Sequence, residues 1–154
     1  MSNFLEIIPE HTTTDLDLNH YECIGSFIDR DGSLKECAII QDTRIVCKTP
    51  DARSSLLKRL SDLSSRIQQT EKEKSSGVLT YMAFSCLDNE TGARIYGRYE
   101  SRDVMEDFLR RKDVLKFWID SKSDIVSMEC RGYLPNGKGW LHRNGDSIES
   151  GKAI

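Results

Sequence analysis

What the chain lacks narrows its class before any motif is considered. No apolar run approaches the roughly 20 residues that a membrane-spanning helix needs, so we expect no membrane partner. The N-terminal residues have neither a basic start nor a sustained apolar stretch, which argues against a secretory signal and favours a cytoplasmic location. The formal net charge is only -3 and the basic residues are scattered, which argues against a nucleic-acid partner.

The sequence is also poor in metal-binding patterns. Its five cysteines form no CxxC pair and have no histidine nearby, so we expect no metal site. An odd number of cysteines, mostly within apolar strand-like runs, predicts reduced thiols that are buried as small core residues. The cysteines are Cys23, Cys37, Cys47, Cys86 and Cys130.

What remains is the composition of one soluble globular domain. The chain has 154 residues, of which 38% are hydrophobic and 31% charged. A chain of this size buries about 70% of its unfolded surface. Its N-terminal part predicts a β-hairpin, with a strand over 21–27, a turn over 29–32 and a returning strand over 35–40. A further short strand is predicted over 44–48.

A long amphipathic helix is predicted over 51–74. Pro50 and Asp51 suit its first turn, because a proline there has no N–H to leave unpaired. Four apolar residues recur at helical spacing and predict one buried stripe. They are Leu56, Leu60, Leu63 and Ile67.

Two paired strands follow this helix. VLTYMAFSC, over 78–86, is the most apolar strand of the chain, and its nearly continuous apolarity indicates burial on both faces. After a hairpin loop over 87–92, a strand over 93–99 pairs back on it.

A second helix is predicted over 102–111, with Ser101 as its N-cap. A short apolar piece over 114–118 separates it from a last long strand over 125–133. Trp140 to His142 is a candidate edge strand. The buried face of the helix is predicted to consist of Val104, Met105, Phe108 and Leu109.

The order of the core elements is β-α-β-β-α-β, which predicts an α+β fold of the ferredoxin-like type with an antiparallel sheet. The N-terminal hairpin would be an extension of this unit. Such a sheet carries helices on one face only. Because the 78–86 strand has apolar side chains on both faces, the second face needs a cover, and a second copy of the protein is the simplest one.

One long segment resembles a known family. GVLTYMAFSCLDNETGARIYGRYESRDVMEDFL is similar to the core of the antibiotic biosynthesis monooxygenase domains, which belong to the dimeric α/β barrel superfamily. RGYLPNGKGWLHR, over 131–143, resembles fungal members. The resemblance covers about 38–143. It leaves 1–37 as an N-terminal arm and hairpin extension and 144–154 as a flexible tail.

The resemblance implies a homodimer whose two sheets form a barrel, with a pocket between sheet and helices in each subunit. It implies cofactor-independent oxygenation of a hydrophobic aromatic or polyketide-like metabolite by molecular oxygen, without metal or flavin. Cyclase or isomerase chemistry in the same pocket is an alternative, and a non-catalytic ligand-binding protein is another. Heme degradation, which also occurs in the family, is less compatible with this chain because no well-placed helical histidine is available.

Two positions depart from the pattern of the family. Many members carry histidine in the second helix where this chain has Phe108, and glutamate in the third strand where it has Gly97. This chain therefore lacks, at these positions, the side chains for a mechanism that uses that histidine or that glutamate. The non-catalytic alternative gains some support from the same two departures.

The candidate catalytic residues are polar side chains that could make and hold a substrate anion. Arg98 and Tyr96 share one face of their strand and could stabilise an enolate or phenolate. His142 is the candidate base, because the unperturbed pKa of histidine is about 6.5. Ion pairing of Arg98, an interface role for Tyr96 and a surface position for His142 remain open alternatives.

The candidate substrate-binding residues are mostly aromatic. Gly97 would leave room for a flat ligand, or would mark a β-bulge. Tyr81 could donate a hydrogen bond, and the other aromatic residues would form walls that close the pocket. A position in the core or at the dimer interface is the alternative for Tyr81, and packing is the alternative for Trp118. The set is Tyr81, Gly97, Phe117, Trp118 and Trp140.

Overall fold

The computed structural model describes residues 18–30 and 37–136. These ranges contain six strands and three α-helices. None of these helices is both long and apolar enough to cross a bilayer. In chain order the elements are β1 (Tyr21–Cys23), β2 (Ile28–Asp29), β3 (Ile39–Cys47), α1 (Pro50–Glu73), β4 (Val78–Cys86), β5 (Gly92–Tyr99), α2 (Arg102–Leu109), α3 (Lys112–Ser121), a 3-10 turn (Lys122–Asp124) and β6 (Ile125–Tyr133).

All the strands form one antiparallel sheet in the order β1-β4-β5-β3-β6, with β2 also paired to β4. The four long strands and the helices between them follow each other as β3-α1-β4-β5-α2-β6. Their order across the sheet, β4-β5-β3-β6, is that of the ferredoxin-like split unit. The predicted α+β, ferredoxin-like fold class is confirmed.

Helix α1 anchors the helical layer to the sheet. Its N-cap Thr49 accepts a hydrogen bond through Oγ1 from the backbone N of Ala52, at 3.0 Å, and Pro50 begins the first turn. The predicted stripe is confirmed, because all four of its residues are fully buried. Burial of each contributes about 1.5–3 kcal/mol. The stripe consists of Leu56, Leu60, Leu63 and Ile67.

Strand β5 divides its side chains between the two faces of the sheet. Ile95 and Tyr99 belong to the core that packs under the helices, and this side is called the helix-side face. Arg94, Tyr96 and Arg98 alternate with them and point to the other side, called the open face. No described helix packs on the open face, as expected for this fold.

The N-terminal part differs from its prediction. The strand predicted over 21–27 is divided into β1 and β2 at Gly25, whose φ of 62° interrupts an extended chain. The predicted hairpin pairing is wrong. β1 and β2 both pair with β4, whereas residues 39 and 40 begin β3, which pairs with β5 and β6. Residues 31–36 lie outside the described ranges.

Strand β3 is one nine-residue strand, whereas the prediction had two short ones, over 35–40 and 44–48. The polar run Gln41-Asp42-Thr43 concealed its continuity. Those polar residues are accommodated in the sheet, because Asp42 binds Arg94 of β5 across the open face. Gln41 and Thr43 point to the helix side.

A third helix replaces the short apolar piece predicted over 114–118. α2 ends at Leu109, and the extended residue Arg111 separates it from α3. The Arg111 guanidinium binds the Asp113 carboxylate at 2.8 and 3.1 Å, which fixes the corner between the helices. α3 buries Val114, Phe117 and Ser121. The predicted edge strand over 140–142 lies outside the described residues.

Gly97 offers a test of how tightly the helix-side face is packed. A Cβ on this residue would lie 2.6 Å from the hydroxyl oxygen of Tyr99 and 2.9 Å from its Cζ. We therefore expect Gly97→Ala to lower the free energy of unfolding by about 1–3 kcal/mol, because the Tyr99 ring would have to shift from its contact with Phe108. Urea unfolding at equilibrium measures it.

The matched control is Gly132→Ala on the edge strand β6. A Cβ there would meet only Ile39 Cδ1, at 3.9 Å, so the change should stay within about 0.5 kcal/mol. Equal losses for the two variants would contradict the close contact between Gly97 and the Tyr99 ring.

Candidate functional site

A cavity of about 220 Å³ lies between the helix-side face of the sheet and helices α2 and α3. All four long strands contribute to its wall, and the two helices close it from above. We call it the helix-side cavity. Its lining consists of Gln41, Thr43, Tyr81, Ile95, Tyr99, Phe108, Leu109, Val114, Trp118, Met128 and Cys130.

Two buried phenols are the main polar groups of this cavity. Tyr81 of β4 is 4% exposed and Tyr99 of β5 is 1% exposed, and each packs against the ring of Phe108, at centroid distances of 5.4 and 5.5 Å. Neither hydroxyl makes a hydrogen bond to another residue of the described ranges. Both phenols are therefore free to donate to a molecule in the cavity.

Burial keeps both phenols protonated. It raises the pKa of Tyr81 far above its ordinary value, and the nearby Asp113 carboxylate raises it further, against a smaller opposite effect of Arg111. The pKa of Tyr99 is raised in the same way, first by burial and then by charge on Tyr81 and on Cys130. At neutral pH the pair thus supplies two O–H donors and no negative charge.

A polar strip forms the wall of the cavity on the side of β3 and β6. The Sγ of Cys130 accepts hydrogen bonds from Gln41 Nε2, at 3.1 Å, and from Thr43 Oγ1, at 3.4 Å. Opposite this strip, the cavity is apolar and largely aromatic, with Trp118 and Phe108 among its walls. The arrangement suits a flat apolar ligand with one oxygen-bearing edge.

Four of the five predicted substrate-binding residues lie on the helix side of the sheet. Tyr81 and Trp118 line the cavity. Phe117 is buried in the core and meets Trp118 ring to ring at 4.9 Å, so it supports the wall from behind. Gly97 also lies on this side, but the space above it is filled by the ring of Tyr99, which corrects its predicted role as room for a ligand.

The structure does not bring the predicted anion-stabilising pair to this cavity. Arg98 and Tyr96 lie on the open face, so the sheet separates them from Tyr81. Arg98 is 2% exposed, and its Nη1 donates to Thr80 Oγ1 at 3.2 Å and to the Arg30 carbonyl at 3.5 Å. The Nε of Arg98 has no partner among the residues that the structure describes. The other two predicted site residues, Trp140 and His142, lie outside the described ranges.

A shallow groove of about 450 Å³ crosses the open face, and we call it the open-face groove. The Arg94 guanidinium forms a two-pronged ion pair with Asp42 and lies 5.3 Å from the centroid of the Tyr21 ring. Hydrogen bonding to Asp42 raises the pKa of Arg94. Arg94 therefore pairs within its own chain, one strand away. The groove is lined by Tyr21, Asp42, Phe84, Arg94, Tyr96 and Tyr133.

Sequence reasoning did not assign a site role to Tyr99, Gln41, Thr43 or Cys130. Tyr99 could have been found from the sequence, because it lies two residues after Gly97 and shares its face of β5. The family resemblance implies a pocket between the sheet and the helices. Gln41 and Thr43 belong to the polar run inside β3. Cys130 faces them through the register between β3 and β6, which only the pairing of the strands reveals. Within the described ranges, no three His, Cys, Asp or Glu side chains converge as a metal site would require.

Comparison with known proteins supports the fold. No family model and no curated protein matches the sequence. Among solved structures, a "Putative monooxygenase" of Fusobacterium nucleatum is similar at a TM-score of 0.68 and 14% identity, over 86% of this chain and 58% of that one. A "putative monooxygenase" of Lactobacillus acidophilus has a TM-score of 0.55 and 10% identity, over 69% of this chain and 47% of that one.

A third similar structure covers nearly all of its own chain. It is a "putative Antibiotic biosynthesis monooxygenase" of Chloroflexus aurantiacus, with a TM-score of 0.53 and 16% identity, over 67% of this chain and 97% of that one. The present chain thus spans only about half the length of the first two structures. Identities this low establish a shared fold, and reaction and substrate need separate arguments.

The raised pKa values of the buried phenols predict a loss of stability at high pH. In the unfolded chain a tyrosine ionises near pH 10, whereas Tyr81 and Tyr99 stay protonated in the fold, so the free energy of unfolding should fall as pH rises above about 10. In Tyr81→Phe the free energy of unfolding should fall less steeply with pH. Urea unfolding at a series of pH values measures the slope, and an unchanged slope in the variant would contradict the burial of a protonated phenol.

Proposed function

We propose that this protein binds a small, flat aromatic metabolite in the helix-side cavity and oxygenates it with molecular oxygen, without a bound cofactor. The observation that carries the proposal is the pair of buried, protonated phenols with no hydrogen-bond partner among the described residues. Buried polar groups normally have partners, and a ligand oxygen would supply one here. The resemblance to antibiotic biosynthesis monooxygenases and the names of the similar solved structures support the choice of reaction.

The size of the cavity limits the ligand. Pockets for drug-sized ligands usually measure about 300–1,000 Å³, and this one is smaller, at about 220 Å³. A phenol or ketone with one or two fused rings fits such a volume better than an extended polyketide. The aromatic rings of Trp118 and Phe108 would contact the two sides of the ligand.

The proposed chemistry needs a substrate anion that can pass an electron to dioxygen. Tyr81 and Tyr99 would donate hydrogen bonds to the carbonyl or phenol oxygen of the ligand, where negative charge develops after proton loss. In a reaction that turns a ring CH₂ into C=O, one oxygen atom enters the substrate, and the other leaves as water with the two hydrogens. The electrons balance without an added reductant. The apolar walls would exclude bulk water from the anion.

The mechanism also needs a base that removes a proton from the substrate. The cavity lining that the structure describes contains neither a carboxylate nor an imidazole. His142, the predicted base, and Trp140, the predicted wall, remain proposals for closing the site. If the same enolate forms without reacting with oxygen, the outcome is isomerase or cyclase chemistry in the same pocket.

The same observation favours a second candidate function, a protein that binds the aromatic ligand without converting it. Two phenols, an amide and a hydroxyl can hold an oxygen-bearing ring but cannot readily remove a proton from it. Phe108 and Gly97, which stand where the family implies histidine and glutamate, point in the same direction.

We also propose that a second copy of the chain covers the open face and forms a homodimer. The open-face groove presents the aromatic rings of Tyr21, Phe84 and Tyr133, which an aqueous surface would not favour. Tyr96 and Arg98 lie on this face, so their proposed part in catalysis would require a partner subunit beside them. Otherwise their role is at the interface.

The oxygenation test compares two tyrosine variants on 1-naphthol and on small cyclic aryl ketones. In air, the wild type should produce material that has gained one oxygen atom and lost two hydrogen atoms. Tyr81→Phe should lose about 10-fold to 1,000-fold in kcat/KM through the missing donor. Tyr133→Phe, on the open face, is the matched control and should keep full activity. Product masses from incubations with and without oxygen measure the reaction.

Three results separate the alternatives in this test. Conversion that ignores oxygen would replace oxygenation with isomerase or cyclase chemistry. Binding without conversion would favour the non-catalytic candidate. Equal activity of Tyr81→Phe and the wild type would contradict the assigned role of the phenol.

The dimer test uses the mass of the protein in solution. The wild type should have twice the chain mass of 17.6 kDa, and Phe84→Glu should be monomeric because a carboxylate would be buried in the open-face contact. Ile119→Glu is the control, since this residue is 73% exposed on α3, away from that face. A monomeric wild type, or a dimer that tolerates Phe84→Glu, would contradict the proposed interface.

A further inference from the structure

Cys130 differs from the other cysteines in where its thiol lies. It belongs to the edge strand β6, pairs with Thr43 of β3, and is exposed while lining the helix-side cavity. Cys37, Cys47 and Cys86 are buried. A reagent that enters the cavity therefore meets one accessible thiol on its wall.

Two side chains hold the sulfur in place. Gln41 Nε2 and Thr43 Oγ1 both donate to Cys130 Sγ, at 3.1 and 3.4 Å. Donors on the sulfur stabilise the negative charge that it carries when it attacks an electrophile, since the charged form is the nucleophile. Gln41 and Thr43 thus give the sulfur a fixed position and a polar environment on the wall of the cavity.

The same cavity also contains the pair of buried phenols. Tyr81 and Tyr99 are more than nine-tenths buried and offer O–H groups without a partner in the described ranges. When the carbonyl oxygen of a conjugated ligand accepts hydrogen bonds from these phenols, the conjugated carbon of the ligand becomes more electron-poor. The cavity therefore contains carbonyl-activating donors together with an accessible sulfur nucleophile.

We propose that Cys130 is a covalent capture site for quinones and related α,β-unsaturated carbonyl compounds that enter the helix-side cavity. The proposal rests on the proposed binding of aromatic ligands there. Oxygenation of a phenolic ring yields quinones, so the protein would meet such electrophiles as products of its own reaction. Capture would mark or block a cavity in which a reactive product has accumulated.

The capture step balances without any further reagent. The sulfur electron pair forms a C–S bond to the β-carbon, and the electrons of the C=C bond move to the carbonyl oxygen. That oxygen takes up the proton that the thiol has lost. With a quinone, a second proton shift restores the aromatic ring, and the product is a hydroquinone thioether on Cys130. The quinone gains the hydrogen of the thiol and nothing leaves.

The test compares 1,4-naphthoquinone with methyl methanethiosulfonate, a small thiol reagent that needs no carbonyl activation. Intact mass and peptide mapping would follow the labelling of Cys130 and of Cys23, the other exposed cysteine, which lies on β1 away from the cavity. Binding in the cavity places the quinone beside the sulfur of Cys130. The ratio of the labelling rate by the quinone to the labelling rate by the small reagent should therefore be about tenfold higher at Cys130 than at Cys23.

Variants make the test specific to the cavity. Cys130→Ser should remove the quinone adduct at this position and leave labelling of Cys23 unchanged. Tyr81→Phe should slow the quinone at Cys130 but not methyl methanethiosulfonate. Under nitrogen, where it cannot be oxygenated, 1-naphthol should protect Cys130 alone. An unchanged small-reagent rate in Tyr81→Phe shows at the same time that the variant is folded.

The inference is overturned by equal relative rates at Cys130 and Cys23. It is also overturned if Tyr81→Phe slows both reagents alike, because the phenol would then have only a structural effect. Since the quinone is added directly, these outcomes do not depend on turnover. Loss of oxygenation with capture intact would refute the proposed reaction alone, and loss of capture with oxygenation intact would refute this inference alone.

Discussion

The alternation of side chains along β5 is the constraint on which the rest of this structure depends. An extended strand must send neighbouring residues to opposite faces, and the helices cover only one of those faces. Tyr99 therefore enters the side that the helices cover, while Arg98 beside it enters the other side. A single residue step decides which polar groups can meet a ligand in the cavity and which can meet only a partner on the open face.

The two departures from the family pattern have one physical explanation on the helix side. Gly97 carries no Cβ, and the ring of Tyr99 occupies the space that a side chain there would need. Phe108 packs on both Tyr99 and Tyr81. An aromatic cluster thus takes the place of the histidine and glutamate that the resemblance implies. The polar chemistry that remains in the described cavity is hydrogen-bond donation by neutral phenols, together with the thiol of Cys130.

Much of the fold follows from local patterns. The stripe of α1, the Ser101 cap and the bounds of β4 and β6 match their predictions because each depends on spacing within one segment. The N-terminal pairing did not follow, since the partner of β1 and β2 is the free edge of β4, far away in sequence. Helix α3 was missed because Arg111 breaks a single helical pattern into two.

The candidate site was predictable only in part for the same reason. Tyr81 and Trp118 could be chosen as aromatic residues on pocket-forming elements. The alternation rule already separated Arg98 from Gly97, but only the position of the helices decides which face holds the cavity. The contacts of Cys130 with Gln41 and Thr43 depend on the register between β3 and β6, which no local pattern encodes.

The central claim, that an aromatic ligand binds on the helix side of the sheet, can be tested directly with the methionine methyl groups. Met128 lines the helix-side cavity, and Met82 lies on β4 opposite Tyr96, on the open face. In protein labelled with ¹³C at the methionine methyl groups, titration with 1-naphthol should shift the NMR signal of Met128 and leave that of Met82 in place. A shift of Met82 alone would place the ligand on the open face and contradict the account.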